Sequence, residues 1–407
     1  MRRSPFRQRR RVFATDVEGG TRKHRPDYLL LVLISALLMS GAIVVYAIGP
    51  GLTGGTDLPS NYYSNKQLVA ILLGLVGFAL AVAMPLKNWS KLQGYLIFLA
   101  IFAAISVRFI GDEINGVHRW IQVGGFSFQP AELVKLALVL WLAKFLSSRR
   151  KSGEIKNPDT LKQLGILVVA IIVVVAGLQS DLGSAAVMMA IIGIMSFVAG
   201  LPMKRLLLFG LVLVSLTGLA VVATPYRRDR ISTFLNPAAD CQSEGYQACQ
   251  ALITIGSGGL SGKGLGQSVQ AYGYLPEPAN DSIFAIVSEK FGFIGSTVMV
   301  GVFWLLFRRL LQIAKGTTDD YVMLLVVGVL IWLSVQMVIN VGAMVGLLPL
   351  KGITLPFVSY GGTSIIFVMI AMGLVFQASK YTDLSLTRSG SGTRKSAFDS
   401  DRRFKRG

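Results

Sequence analysis

Apolar runs long enough to cross a lipid bilayer, separated by short polar segments, take up most of this sequence. The hydrocarbon core of a bilayer is about 30 Å thick, which a helix spans with about 20 apolar residues. Ten runs approach this length: Tyr28–Ile48, Gln67–Leu86, Leu92–Ile110, Pro130–Leu146, Leu161–Gln179, Leu182–Gly200, Leu206–Thr224, Ser282–Phe307, Tyr321–Val345 and Leu355–Phe376. With 53% hydrophobic and 15% charged residues, the chain is also unlike an ordinary soluble domain. The sequence therefore predicts an all-α polytopic membrane protein with about ten transmembrane helices.

Basic residues determine the predicted orientation of these helices. The net charge of +19 comes from short clusters between the apolar runs and from the two tails. Such a distribution favours membrane topology over nucleic-acid binding. Because basic loops tend to stay in the cytoplasm, both termini are predicted to be cytoplasmic. Residues 1–26 and 380–407 are then a disordered basic arm and tail on either side of a membrane domain, residues 27–379.

The long polar segment of residues 225–281 separates the seventh and eighth runs and is predicted to be a large extracytoplasmic loop. Irregular backbone cannot face lipid, so chemistry at the water interface is expected in a loop of this kind. The loop holds both cysteines, Cys241 and Cys249. They form either a disulfide or two thiols, and the sequence leaves both open. The glycine-rich run 256–266 is not a phosphate-binding loop, because Ser257 stands where the first glycine is required.

Ionisable residues at membrane depth are costly and are therefore candidates for function. Glu132 and Lys135 lie one helical turn apart at the start of the fourth run. They either serve a substrate or neutralise each other inside the bundle. Arg119, in the polar segment before them, either grips a phosphate with two hydrogen bonds or anchors the membrane interface beside Trp120.

Asp281 stands at the head of the eighth run. On a helix it would share one face with Ala285, Ser288 and Gly292, whose small side chains would leave room for a ligand. A helix cap is the other interpretation of this aspartate. The two histidines of the chain lie far apart, which excludes a zinc site and a Ser-His-Asp arrangement. A carboxylate with arginines at the outer interface suits transfer chemistry on a phosphate-bearing lipid.

Several short motifs, taken together and in order, carry a resemblance to a known family. They are Asn115–Ile121, Gln129–Glu132 with Lys135, Gln179–Gly183, Tyr226–Arg227 with Arg230, Gly245–Gln247, Leu275–Glu277 with Asp281, Leu347–Gly352 and Leu355–Ser364. On these motifs the chain resembles the SEDS (shape, elongation, division and sporulation) proteins of the FtsW and RodA type over about residues 28–379. The long basic tails favour the cell-division type.

The resemblance implies ten transmembrane helices and a peptidoglycan glycosyltransferase that polymerises lipid II at the outer face of the bacterial cytoplasmic membrane. It implies a class B penicillin-binding protein as partner, with other divisome or elongasome membrane proteins. The family's essential aspartate falls on Asp281, the expected catalytic base. The expected substrate-binding residues are Arg119, Glu132, Lys135, Arg227, Arg230, Lys351 and Ser359. A divalent cation, Mg²⁺ or Mn²⁺, is a further candidate to stabilise the leaving pyrophosphate.

Two other functions stay open at this stage. A transporter that moves lipid II across the bilayer would also use charges inside the membrane, such as Glu132, Lys135 and Asp181. A scaffold that only recruits the crosslinking partner would leave the outward aspartate and the arginines without a role.

Overall fold

A computed structural model of the protein describes residues 26–114, 117–123, 126–205, 207, 210, 234, 241–243 and 245–382. The elements within this part of the chain are α1 (Tyr28–Thr53), α2 (Tyr62–Ala83), α3 (Leu86–Ile110), β1 (Asp112–Ile114), β2 (Val117–Val123), β3 (Phe126–Phe128), α4 (Pro130–Lys151), α5 (Pro158–Ile171, continued by a π-helix over Ile172–Leu178), α6 (Leu182–Ala199), α7 (Tyr246–Ser257), α8 (Ile283–Lys315), α9 (Asp320–Met344) and α10 (Gly362–Ser379).

The helices confirm the prediction of a polytopic membrane protein. Within the described part of the chain, eight helices are long and apolar enough to cross a membrane; α4 and the short α7 are not among them. Helix α4 has 22 residues, enough for roughly 33 Å at 1.5 Å per residue, and carries charges at both ends. The seventh predicted run, Leu206–Thr224, falls almost entirely outside the described residues.

Helix α4 lies at the centre of the bundle. Every residue from Pro130 to Leu140 is buried, and the helix packs against α3, α6, α9 and α10. Helix α9 contacts α4, α6 and α8, while α10 packs along α2.

The heads of α4, α6 and α10 meet at one end of the bundle, where Gln129 bonds to Thr363 and Asp181. The head of α8 meets the end of α9 there as well, because Asn340 bonds to the Asp281 carbonyl. This end is called the site end below.

The segment between α3 and α4 contains strands that the all-α prediction does not include. Strands β1, β2 and β3 form a small antiparallel sheet in chain order, with Asp112 opposite Trp120 and Ile121 opposite Phe128. Such short strands pair only locally and give no strong alternating pattern in the sequence. Their consequence is positional, because the sheet fixes the backbone of Arg119 at the site end.

The tenth predicted run does not begin as a helix at Leu355. Helix α10 begins at Gly362, and residues 346–361 form an irregular segment, called the strap, between α9 and α10. Pro356 has no N–H group for a helix interior, and Phe357 adopts a positive φ of 66°. The apolar run therefore predicts burial correctly here but not helix, since residues 355 to 359 are all buried.

Helix α8 is broken at Gly292, where φ is 67° and ψ is −165°. The break leaves backbone groups without partners inside the helix, and the glycine-rich segment of the polar loop supplies them. The N–H groups of Phe293 and Ile294 donate to the carbonyls of Gly259 and Leu260, at 2.9 and 3.1 Å. The N–H of Lys263 donates to the Glu289 carbonyl at 2.9 Å. The predicted face shared by Asp281, Ala285, Ser288 and Gly292 consequently ends at this break.

We expect Gly292→Ala to destabilise the protein strongly. Few non-glycine residues adopt this backbone conformation, which costs about 1–3 kcal/mol, and an added Cβ would lie 2.4 Å from the Gly262 nitrogen and the Leu260 oxygen. The matched control is Gly301→Ala in the same helix, where an added Cβ meets nothing within 4 Å. Thermal unfolding in detergent should show a large decrease of the unfolding midpoint for Gly292→Ala and no decrease for Gly301→Ala. Equal midpoints for the two variants would contradict the importance of the break.

Candidate active site

Asp281 lies at the site end, two residues before α8 begins. It lines a narrow pocket with Asn340 and Met344 of α9 and with Lys351 and Gly352 of the strap. Its Oδ1 atom is buried and has no hydrogen-bond partner among the described residues. An acceptor oxygen left open in this way is available to a hydroxyl group or a cation.

The surroundings of Asp281 favour its protonated form. Burial raises the pKa of this carboxyl to about 7, and the nearby Glu277 carboxylate adds to the increase. The Gln247 amide and the backbone N–H groups of Asp281 and Ser282 oppose part of the shift. A carboxyl group that titrates near neutral pH is suited to accept a proton from a substrate and then to lose it again.

The cap of α8 does not explain Asp281. The capping position belongs to Ser282, whose side chain makes no capping hydrogen bond. By contrast, Asp181 caps α6, since its Oδ1 accepts from the Ser184 N–H at 2.9 Å. The helix-cap interpretation therefore fits Asp181 and not Asp281.

The backbone before Asp281 is tied to the strap. Ser359 donates to the Asn280 carbonyl at 2.6 Å and accepts from the Leu355 N–H at 2.7 Å. The Tyr360 N–H donates to the Ala279 carbonyl at 2.8 Å. The Ser359 hydroxyl is thus engaged with backbone groups, and in this structure it holds the segment that leads into Asp281.

Glu132 and Lys135 form a buried ion pair on α4. The Lys135 Nζ atom lies 2.6 Å from Glu132 Oε1 and donates to Gln336 Oε1 at 3.0 Å. The two side chains are 4% and 1% exposed. Gln336 in turn donates to the carbonyl and the hydroxyl of Thr354 in the strap, at 3.0 and 3.2 Å. A polar network therefore runs from the pair on α4, through α9, to the strap beside Asp281.

Arg119 makes contacts that neither sequence interpretation includes. Its guanidinium donates to the carbonyls of Gln179 and Ser180, at 3.0 and 2.5 Å, in the turn that leads into α6. Gly183, just after this turn, packs so closely on the strap that a Cβ would lie 3.1 Å from the Lys351 carbonyl oxygen. Arg119 thereby fixes the start of α6 against the strap. Its side chain is half-buried.

The polar loop is fastened to α8 by a carboxylate. Glu289 is fully buried and accepts from the N–H groups of Val269 and Gln270 at 3.1 and 3.3 Å, and from the Ser268 hydroxyl. Lys290 donates to the Leu265 carbonyl at 2.7 Å. On the other side of the loop a disulfide joins Cys241 to Cys249 in α7, the helix that also carries Gln247. The first of the two cysteine alternatives is the one found.

The structure brings only some of the predicted site residues together. Asp281 and Lys351 line one pocket. Ser359 bonds to the backbone just before Asp281. The ion pair of Glu132 and Lys135 connects to the strap through Gln336. Arg119 acts on the turn before α6, and Arg227 and Arg230 lie outside the described residues.

Sequence reasoning missed Gln336 and Asn340. The sequence does contain a signal for them, since two carboxamides lie one helical turn apart in an otherwise apolar run. Polar groups at membrane depth are costly and are therefore candidates for function.

The sequence as a whole has clear relatives. Residues 28–384 match the FtsW/RodA/SpoVE family, described as cell cycle proteins. The chain is 37% identical over 365 residues to stage V sporulation protein E of Bacillus subtilis, covering 89% of this chain and 99% of that protein. It is 35% identical over 360 residues to a probable peptidoglycan glycosyltransferase FtsW of Saccharophagus degradans, covering 87% and 92% of the two chains.

Solved structures resemble the fold as well. A chain of a peptidoglycan synthase complex, described in terms of the coordination of polymerization and crosslinking, matches with a TM-score of 0.72 and 28% identity over 87% of this chain and 97% of that chain. The rod shape determining protein RodA of Thermus thermophilus matches with a TM-score of 0.65 and 28% identity over 88% and 98%.

Proposed function

This chain belongs to the FtsW/RodA/SpoVE family, and we propose that it polymerises lipid II into glycan strands with Asp281 as the catalytic base. It is a multi-pass membrane protein and a peptidoglycan glycosyltransferase, as its relatives are named. The observation that supports the role of Asp281 is its buried Oδ1 atom, which lies in a pocket at the site end and has no hydrogen-bond partner among the residues that the structure describes.

In the proposed reaction Asp281 takes the proton from a hydroxyl group of the acceptor sugar. The hydroxyl oxygen forms a bond to the anomeric carbon of the donor sugar, and the bond from that carbon to the undecaprenyl pyrophosphate breaks. The pyrophosphate leaves with the bonding electron pair. A base of this kind typically contributes about 10²–10⁴-fold in rate, and burial raises the pKa of Asp281 into the range where it can act near neutral pH.

Positive charge near the pocket would stabilise the leaving pyrophosphate. Lys351 is the basic residue that lines the pocket with Asp281. Arg227 and Arg230 remain candidates from the sequence. Lys135 is less suited in this arrangement, because its ammonium already contacts Glu132, Gln336 and the ring of Trp332.

A divalent cation, Mg²⁺ or Mn²⁺, also remains a proposal. The described residues include no group of three or more His, Cys, Asp or Glu side chains placed to hold a metal ion. This part of the chain does not supply a full set of protein ligands, so most ligands of a cation would come from the pyrophosphate and water, as is common for Mg²⁺.

The orientation and the partner follow from the same family and remain proposals. Basic residues such as Arg149, Arg150, Lys151 and Arg309 lie at the end of the bundle opposite Asp281. With that end in the cytoplasm, both termini are cytoplasmic and the pocket opens outside the cell membrane. There the glycan strands would meet a class B penicillin-binding protein that crosslinks them, within the division or elongation machinery.

Glycan synthesis from labelled lipid II by the full chain in vesicles tests the proposed function. We expect the wild-type chain to form polymer, and an added class B penicillin-binding protein either to increase the amount of polymer or to be required for its formation. A parallel measurement follows movement of lipid II between the leaflets. Movement without polymer under any condition would contradict the proposal and favour a transporter.

We expect the rate of polymerisation to fall as the pH drops below about 7. Because burial raises the pKa of Asp281 to about 7, acid converts the base to its inactive protonated form well above the ordinary pKa of 3.8. The measurement is kcat/KM against pH, which reports the free enzyme. An acidic limb with an apparent pKa near 4 would contradict the buried environment described here.

A further inference from the structure

Asn340 joins the two sides of the candidate pocket. Its Nδ2 atom donates to the carbonyl oxygen of Asp281 and to that of Ile353, both at 2.7 Å. The side chain is 2% exposed and belongs to α9, the helix that forms the third side of the pocket. One amide group thereby sets the backbone of Asp281 against the strap residue that follows Lys351 and Gly352.

The identity of the amide nitrogen is fixed by its surroundings. Both neighbouring groups are main-chain carbonyls, which only accept hydrogen bonds, so the side-chain atom between them has to be the donor. A buried carbonyl that loses its donor keeps the cost of desolvation. Because two carbonyls depend on Asn340, its loss would let the Asp281 backbone and the strap move apart.

Gln336, one turn earlier on α9, makes the parallel contact to Thr354. Two consecutive strap residues, Ile353 and Thr354, are therefore held by two carboxamides of one helix face. Asn340 differs from Gln336 in that it also reaches Asp281 itself. Gln336 therefore holds only the strap, whereas Asn340 also places Asp281 relative to the strap.

We propose that Asn340 is a positioning residue for the glycosyl transfer, which orients Asp281 against Lys351 and Gly352 through its bonds to the Asp281 and Ile353 carbonyls. The proposal rests on the proposed function of Asp281. Asn340 acts on the backbone and not on the reacting atoms, so its loss should affect the chemical step more than the affinity for lipid II. Misplacement of a reacting group by about 1 Å can lower a rate about 10²-fold.

The test compares Asn340→Leu, which keeps the approximate size and removes the donor, with a matched variant at the other end of the bundle. Gln377 is likewise buried, and its Nε2 atom donates to the carbonyls of Val82 and Met84 at 3.3 and 2.9 Å. Gln377→Met removes a similar double contact far from the pocket. We expect kcat for polymerisation of labelled lipid II to fall about 100-fold in Asn340→Leu, with KM almost unchanged. Gln377→Met should keep both constants close to those of the wild type.

The pH profile separates positioning from a general loss of structure. Within the part of the chain that the structure describes, the charged groups that face Asp281 are Glu277, from the loop before α8, and Lys351, from the strap. Helices α7 and α9 contribute the uncharged Gln247 and Asn340. In Asn340→Leu the backbone of Asp281 loses this bond and its carboxyl becomes more accessible to water, so the acidic limb of kcat/KM should move to lower pH. A smaller folded fraction would leave that limb in place.

Asn340→Ala provides a second variant if the leucine does not fold, because it removes the donor without adding bulk or charge beside Asp281. Wild-type kcat and an unmoved acidic limb in the Asn340 variants would overturn the inference. An equal loss in Gln377→Met would overturn it as well, since the effect would then be one of structure. Absence of polymer from the wild-type chain would instead count against the proposed function, and the inference would fall with it.

Discussion

Asp281→Asn should abolish detectable glycan polymerisation while the protein still folds. The substitution keeps the size of the side chain and removes the ability to accept a proton, so the loss should be at least about 10²–10⁴-fold in kcat. The neutral amide also removes the cost of burying a carboxylate beside Glu277, so the thermal midpoint should be unchanged or higher. The measurement is polymer formed from labelled lipid II per folded protein.

The control has to show that an Asp-to-Asn change at the head of a membrane helix is harmless by itself. Asp319 caps α9, and its carboxylate accepts from the N–H groups of Tyr321 and Val322 at 2.7 and 3.1 Å. Asparagine caps helices about as well as aspartate, so Asp319→Asn should retain polymerisation. Full activity in Asp281→Asn would remove Asp281 from the chemistry and leave it a local structural residue.

Much of the bundle could be predicted because the bilayer fixes helix length. Each helix must span about 30 Å and satisfy its own backbone groups. For this reason most of the predicted ends of α1, α2, α3, α6 and α9 lie within a few residues of the observed ends. Where the backbone is buried in protein instead of facing lipid, this constraint no longer holds. The strap is apolar and buried but irregular, and the start of α10 therefore lies seven residues after Leu355.

The break in α8 shows a second limit of sequence reasoning. A single glycine in an apolar helix is common in membrane proteins, so Gly292 carries no local signal. Its partner is the glycine-rich segment about 30 residues earlier, whose backbone pairs with that of α8. The spacing of these glycines argues against a phosphate loop, but the role that the structure shows for them depends on a long-range contact that no local pattern encodes.

The site itself divides in the same way. Position alone does not single out Asp281, because Asp27, Asp181 and Asp319 also stand at the heads of apolar helices. The family resemblance singles it out, and it lies in the pocket.

The arrangement of the basic residues could not be predicted, since a guanidinium or an ammonium has many potential partners. Arg119 bonds to backbone carbonyls 60 and 61 residues away, and Lys135 bonds to Gln336, which lies 201 residues away.

Lys135→Met should destabilise the protein more than most single substitutions. The change leaves the Glu132 carboxylate buried without its cation, and Glu132 Oε2 already has no hydrogen-bond partner among the described residues. Removal of one partner from a buried ion pair typically costs about 3–5 kcal/mol. Thermal unfolding in detergent should show a clear decrease of the midpoint. A midpoint equal to that of the wild type would contradict a stabilising role of the ion pair.

The double variant Glu132→Leu with Lys135→Met should recover most of that stability, because an apolar pair of similar volume often replaces a buried ion pair at little cost. Gln336 would keep the bond from the Trp332 indole to its Oε1 atom, at 2.8 Å, and its own bond to the Thr354 carbonyl. The strap should therefore stay in place. Polymerisation by the refolded double variant then decides between the two interpretations of the pair. Activity that returns with stability identifies a self-neutralising structural pair, whereas a stable and inactive double variant assigns the Lys135 ammonium or the Glu132 carboxylate a direct role with lipid II.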